Sequence, residues 1–277
     1  MPNACFWFND KASDAFTIYS EALPGAEVTL DNGFLLELTM GDSVLAGMNG
    51  GPTYRPNKTI SVFVELPTPT AVEQAYELLT DGGGEVYMEL AENAWSPAYA
   101  WIADRWGVNW QLMCIDNCTP TLSPALLFTG KQAGRAAEAM RFWGKIFAPS
   151  EVLTIAHYPP DAEPDAGNIM HAQQRIGDGK FVFCDSSAKH DAAFTPGASL
   201  VVSCDTQAEI DRYWKTLSAN GGQQGRCGWL TDRFGVSWQI IPRELAGWMS
   251  NPRTGPKVGE RLQRMTKLII DDLKPRK

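Results

Sequence analysis

Nine side chains have the types and spacings that binding or reactive groups need. They are Glu37 and Thr39, Asn109 and Gln111, His171, Gln173 and Arg175, and Ser237 and Gln239. Within each group the residues fall at alternate positions of an apolar run. A strand points alternate side chains to the same face, so each group shares one side of a sheet. Among them, Glu37 and His171 have the chemistry of a general base near neutrality. The amides, hydroxyls and the guanidinium would orient a small ligand. Two plainer readings stand beside this one. A strand histidine serves structure or meets solvent, and polar alternate positions also pair across an interface between modules.

Other reactive patterns are missing. No glycine-rich phosphate loop follows a strand and no G-x-S-x-G elbow occurs, so the sequence predicts neither nucleotide-type cofactor binding nor serine hydrolase chemistry. The six cysteines contain no C-x-x-C pair, and several lie in apolar runs such as 181-FVFC-184. They read as buried thiols of a reducing compartment. The net charge of -8 argues against a nucleic-acid partner, which needs clustered Lys and Arg. No apolar run approaches the roughly 18 residues of a membrane span, and the N-terminal stretch has no basic leader. The expectation is a cytoplasmic protein with no membrane or nucleic-acid partner.

The elements that must position these residues come from an internal repeat. The segment 101-WIADRWGVNWQ-111 recurs as 229-WLTDRFGVSWQ-239, with seven of eleven positions identical. Upstream, 62-VFVELPTPTAVEQAYELLTDGGG-84 corresponds to 200-LVVSCDTQAEIDRYWKTLSANGG-222, and 19-YSEALPGAEV-28 to 143-WGKIFAPSEV-152. Each repeat reads as strand, helix, two strands, then strand, helix and a final pair of strands. The glycines at 82–84 and 221–222 stop helices where positive φ is needed. The D-R-x-G segments read as turns into the last strand. In that strand Val108, Trp110 and Leu112, and equally Val236, Trp238 and Ile240, form an apolar face that should pack on helices. In an earlier strand Phe34, Leu36, Leu38 and Met40 do the same. The modules run 1–116 and 121–243, joined by 117-NCTPTLSP-124. A helical extension, 244–277, follows, with one amphipathic helix over 257–273 that buries Leu262, Met265 and Ile269.

This architecture resembles the vicinal oxygen chelate superfamily of glyoxalases, bleomycin-resistance proteins and dioxygenases. More narrowly it resembles the PhnB-like branch labelled 3-demethylubiquinone-9 3-methyltransferase. The residues that carry the likeness are 48-MNGGPTYRPNKTISVFVE-65, 208-AEIDRYWKTLSANGGQQGRCGWLTDRFGVSWQIIP-242 and 265-MTKLIIDDL-273. His171 also falls in an H-A-x-x-R-I stretch found in related single-module proteins. The resemblance implies an α+β fold of two tandem βαβββ modules whose curved sheets surround a ligand cup. Pairing of the modules within one chain and pairing across a homodimer both remain open. Metal-dependent relatives place His, Glu or Gln on the first strands, a His on the mid strand and a Glu late in the final strand. Here the first strands, 5-CFWF-8 and 125-ALLF-128, and the mid strands, 61-SVFV-64 and 199-SLVV-202, hold no imidazole or carboxylate. Gln111 and Gln239 stand at the final-strand position, and His157, His171 and His190 fall elsewhere. The sequence therefore predicts no metal and no cofactor. The methyltransferase label has no glycine-rich cofactor loop behind it. The expected function is metal-free binding of a small, partly aromatic molecule, in sequestration or resistance. The alternative is a glyoxalase-like lyase or isomerase, either metal-dependent or using Glu37 or His171 as base.

Overall fold

A computed structural model describes residues 2–275. Contacts divide it into two compact units, Asn3–Ala198 and the chain from Ser199 onward. The strand–helix–three-strand unit occurs four times. The first is β1 (Pro2–Phe8), α1 (Ala12–Ala22), β2 (Ala26–Asp31), β3 (Leu35–Met40) and β4 (Ser43–Asn49). The second is β5 (Ile60–Leu66), α2 (Pro69–Thr80), β6 (Gly84–Asn93), β7 (Ser96–Asp104) and β8 (Asn109–Cys114). The third is β9 (Thr121–Thr129), α3 (Ala136–Ile146), β10 (Ser150–His157), β11 (Ile169–Ile176) and β12 (Gly179–Ser186). The fourth is β13 (Ala198–Cys204), α4 (Gln207–Leu217), β14 (Gln223–Gln224), β15 (Trp229–Thr231) and β16 (Ser237–Pro242). The α+β class and curved sheets agree with the expectation. The repeated element is finer than read, because each long repeat contains the βαβββ unit twice.

The N-terminal unit holds a continuous sheet of eight strands, in the order β10-β11-β12-β9-β5-β8-β7-β6. Its seam is the antiparallel pair β5–β9, in which Phe63 faces Ser123 and Glu65 faces Thr121. Half of the segment read as a linker, residues 121–124, is therefore strand. Pro124 is tolerated there because the β9–β12 ladder begins only at Ala125. Within this unit strands β1 to β4 are hydrogen-bonded in the order β1-β4-β3-β2. Leu36, Leu38 and Met40 of β3 are buried as their alternation requires, whereas Phe34 lies in the preceding turn and is exposed.

One local device recurs in both units. The Asp104 carboxylate accepts hydrogen bonds from the backbone N–H of Trp106 (2.9 Å) and Val108 (3.0 Å), from Trp110 Nε1 (3.0 Å) and from the Tyr19 hydroxyl (2.5 Å). Asp232 accepts from Phe234 N (2.9 Å), Val236 N (3.1 Å) and Trp238 Nε1 (3.0 Å). The Asp thus closes its own turn and pins the tryptophan six residues on, whose ring is buried on the helix side of the last strand. The D-R-x-G-V-x-W spacing is the sequence form of this knot.

The C-terminal unit orders its strands β14-β15-β16-β13. It ends in three helices, α5 (Leu245–Ser250), α6 (Gly255–Arg264) and α7 (Ile270–Leu273). The single helix expected over 257–273 is broken. The helix stops at Arg264 and residues 265–269 follow a non-helical path, in which the carbonyls of Met265 and Thr266 accept bonds from Cys227 and Gly228 N–H at 2.8 Å each. Gly228 has φ +82°, and a Cβ there would meet Leu268 at 3.0 Å, so the close approach needs glycine. Val258, Leu268, Leu273 and Leu245 form the buried cluster of this end. Leu262 and Met265 of the expected stripe pack against it half-buried.

Candidate functional site

The concave face of the eight-stranded sheet is built by alternation on each strand. Phe63 comes from β5, Gln111 and Met113 from β8, Tyr99 and Trp101 from β7, Cys184 from β12 and His171 from β11. Phe63, Tyr99, Ala125 and Val182 pack together as its floor, with Trp101, Met113 and Cys184 against them. Above this floor lies a cavity of about 460 Å³. Both edge strands reach it, β6 through Met88 and β10 through Ala156, so the sheet curls around one space. Trp95, in the turn between β6 and β7, stands at the cavity 58% exposed with its ring edge-on to Tyr99.

The polar groups of the lining are few and largely committed. Gln111 Nε2 donates to Ser61 Oγ (2.8 Å), and Gln111 Oε1 accepts from the Tyr99 hydroxyl (3.0 Å). A primary amide retains one N–H and one lone pair after these bonds. His190 Nε2 lies 2.9 Å from Ser186 Oγ. Burial lowers the pKa of His190, and the nearby Lys58 lowers it further, against Asp165. His171 lies beside Phe63, with ring centroids 5.8 Å apart. Burial lowers its pKa; Glu65 opposes that shift and Lys180 adds to it. Burial pushes the Cys184 thiol up to about 12, with Asp185 adding to the rise, and raises the Tyr99 phenol.

Two residues along β5 from Phe63, on the same face, Glu65 is buried and ion-paired with Lys180. It also accepts from Thr121 Oγ1 (2.7 Å) and, more loosely, from Gln173 Nε2 (3.5 Å). This carboxylate lies in a strand that the sequence reading treated as free of ligands at 61–64. Alternation from Ser61 through Phe63 to Glu65 was the signal that would have found it. The same count along 96-SPAYAWIAD-104 places Tyr99 and Trp101 together.

The residues predicted from sequence are distributed as follows. Gln111 and His171 line the cavity. Gln173 is one alternate position from His171 and reaches Glu65. Arg175, one further along, is exposed and pairs with Glu151 at 2.5 Å. Asn109 is buried on the Gln111 face of β8, with Nδ2 donating to Gly107 O (3.0 Å). Glu37 and Thr39 lie on β3, outside the cavity lining, and burial raises the Glu37 pKa. Ser237 and Gln239 lie on β16 of the C-terminal unit, where Gln239 Nε2 donates to Ser199 Oγ (3.0 Å). The Gln–Ser bond is thus a second feature shared by the two repeats.

The donor set of the cavity does not suit a divalent metal. Burial favours the Cys184 thiol, and the Gln111 amide, a weak neutral ligand, already accepts from Tyr99 through its oxygen and donates to Ser61 through its nitrogen. The Asp185 carboxylate accepts from the backbone N–H of Ala136 (3.0 Å) and Ile169 (3.1 Å). Among the described residues no three His, Cys, Asp or Glu side chains converge as a metal site. Among them, too, no helix is long and apolar enough to cross a membrane.

A family model described as 3-demethylubiquinone-9 3-methyltransferase matches the chain twice, over residues 2–113 and 120–241. Among solved structures, glyoxalase I from Zea mays aligns at a TM-score of 0.58 and 10% identity, over 87% of this chain and 91% of that one. At this identity the likeness shows the fold alone. A PhnB protein from Bacillus cereus aligns at 18% identity and a TM-score of 0.37, over 41% of this chain and 98% of that one. A glyoxalase/bleomycin resistance protein/dioxygenase from Nocardioides aligns at 19% identity and a TM-score of 0.30, over 41% of this chain and 81% of that one. No curated protein sequence matches.

Proposed function

We propose that this chain, which belongs to the 3-demethylubiquinone-9 3-methyltransferase family through both of its halves, binds a small organic molecule in the cup of its eight-stranded sheet. The observation that carries the reading is the cavity itself. Its volume, about 460 Å³, is within the range of small-molecule sites, and its wall is aromatic and thioether with few polar groups. A tightly packed sheet interior would leave no such space. Sequestration of a metabolite or antibiotic follows from binding alone, and nothing in it requires a reacting residue.

A second reading is favoured by one observation. His171 faces the cavity with its pKa lowered, so it is the neutral imidazole at pH 7 and able to take a proton. The Glu65–Lys180 pair is close enough to bias it from the other side. A lyase or isomerase abstracting a carbon-bound proton would use His171 in this way. Glu37 has no part in it, because it does not line the cavity.

The test is a titration of a metabolite and antibiotic panel against intrinsic tryptophan fluorescence, since Trp95 and Trp101 both line the site. Saturable quenching, lost when Ala156→Trp fills the cavity, supports binding. Turnover of a bound compound that His171→Gln abolishes without weakening binding favours the second reading. Equal quenching in wild type and Ala156→Trp refutes the cup as the site.

A further inference from the structure

We infer that the ligand of this cup is an uncharged, planar aromatic compound bearing one hydroxyl or carbonyl oxygen. The inference rests on the cup being the binding site and adds what that site selects.

Among the described residues no Lys, Arg or Glu lines the cavity. Its one ordinary acid, Asp185, has both carboxylate oxygens held by backbone N–H groups, those of Ala136 and Ile169, which compete with a cation for them. The nearest buried ions on the same face, Glu65 and Lys180, are paired with each other, and Thr121 takes a further lone pair of the carboxylate. The two cavity imidazoles, His171 and His190, are held toward their neutral forms by burial. An ionic ligand would surrender its hydration and meet no counter-charge, a cost that far exceeds anything the wall returns. A carboxylate or an ammonium is therefore rejected by the same surface that accepts their neutral analogue.

Tyr99, Trp101 and Tyr158 present ring surfaces, and Met88, Met113 and Met170 present thioethers. Rings stack offset or edge-on with a flat partner, and thioethers add favourable contacts to ring edges. Trp95 supplies a further exposed face at the opening.

After its bonds to Ser61 and Tyr99, Gln111 keeps one N–H and one lone pair. The neutral His171 ring adds one donor and one acceptor. Those two donors and two acceptors match one hydroxyl or carbonyl oxygen and leave most polar groups of a polyol or a peptide unpaired.

The test titrates 9-fluorenone, its 2-carboxylate, its 2-aminomethyl derivative and fluorene calorimetrically at pH 7.5 into wild type, Ala156→Trp and Gln111→Met. The neutral ketone should bind wild type at least about 100-fold more tightly than either ion, with binding lost in Ala156→Trp. Fluorene, which lacks the oxygen, should bind about tenfold more weakly than the ketone in wild type and equally in Gln111→Met. If an ion binds wild type as tightly as the ketone, and Ala156→Trp abolishes it, the ligand class is wrong and the cup survives as the site. If the ketone binds both proteins alike, or no probe binds, the cup reading and this inference fall together.

Discussion

Replacing Asp104 with Leu removes the acceptor of four donors at the end of β7. Three of those donors, the N–H of Val108, Trp110 Nε1 and the Tyr19 hydroxyl, belong to residues that are wholly buried and cannot turn to water. A buried donor left unpaired costs about 1–3 kcal/mol, so the sum is about 3–9 kcal/mol. Against this, the substitution removes a carboxylate whose own burial raises its pKa, a partial relief. A net loss of about 4 kcal/mol is expected, a large part of a typical 5–15 kcal/mol stability. With a urea slope of about 2 kcal/mol/M, the midpoint should fall by about 2 M. Asp104→Asn keeps an oxygen for the two backbone N–H groups and sets an amide N–H against the Trp110 indole, so about 1–3 kcal/mol should be lost. The function should suffer with the fold, because Trp110 fixes the register of the strand that carries Gln111 and Met113 into the cavity. Equilibrium unfolding followed by tryptophan fluorescence gives the numbers. An Asp104→Leu protein within about 1 kcal/mol of wild type would refute the knot as a source of stability.

Further outcomes are expected elsewhere. Trp95→Ala should weaken a cup ligand about tenfold, the worth of one aromatic contact, and leave the melting temperature unchanged, because the ring is 58% exposed; calorimetry and a thermal melt check both halves. Truncation after Gly255 should destabilise the C-terminal unit by about 5–9 kcal/mol, since Val258, Leu268 and Leu273 are all buried and each contributes about 1.5–3 kcal/mol; an unchanged urea transition would make the segment dispensable. The pKa of His171 is lower folded than unfolded, so its contribution is intact above about pH 6.5 and is lost as pH falls from there toward the folded value, where only the unfolded chain takes the proton. His171→Gln should therefore lose less stability than wild type between pH 7.5 and 5.5, and parallel losses would remove His171 as the group responsible.

Much of this was legible in the sequence because it is local or periodic. The D-R-x-G-V-x-W spacing encodes a turn and an anchored indole within seven residues. Strand alternation sends Trp110 and Trp238 to the helix side and Gln111 and Gln239 to the other. The repeat itself reports two copies of one design. What was hidden depends on distant partners. Alternation cannot say that β5 pairs with β9, so the strand that begins at Thr121 looked like a linker. For the same reason Phe63, Tyr99 and Cys184 read as separate apolar runs and not as one wall. The helical periodicity of 257–273 is real as far as Arg264, but the backbone beyond it finds better partners in Cys227 and Gly228 than in its own preceding turn.

The edge strands of the eight-stranded sheet have a kinetic consequence. Both β6 and β10 are exposed along most of their length, each pairs on one side only, and each ladder is interrupted by bulges, near Met88 and Ala156 respectively. Bulges discourage edge-to-edge association of copies, and they also thin out the bonds that hold a strand in place. The cup therefore has a rigid seam at β5–β9 and two soft rims. Local opening of a rim is the low-energy excursion of such a sheet. Amide exchange should run fast along 85–93 and 151–157 and slow at 60–66. A molecule seated inside would slow the rims alone, trading their conformational freedom for its own retention, so that residence time in the cup is governed by how often an edge strand peels back.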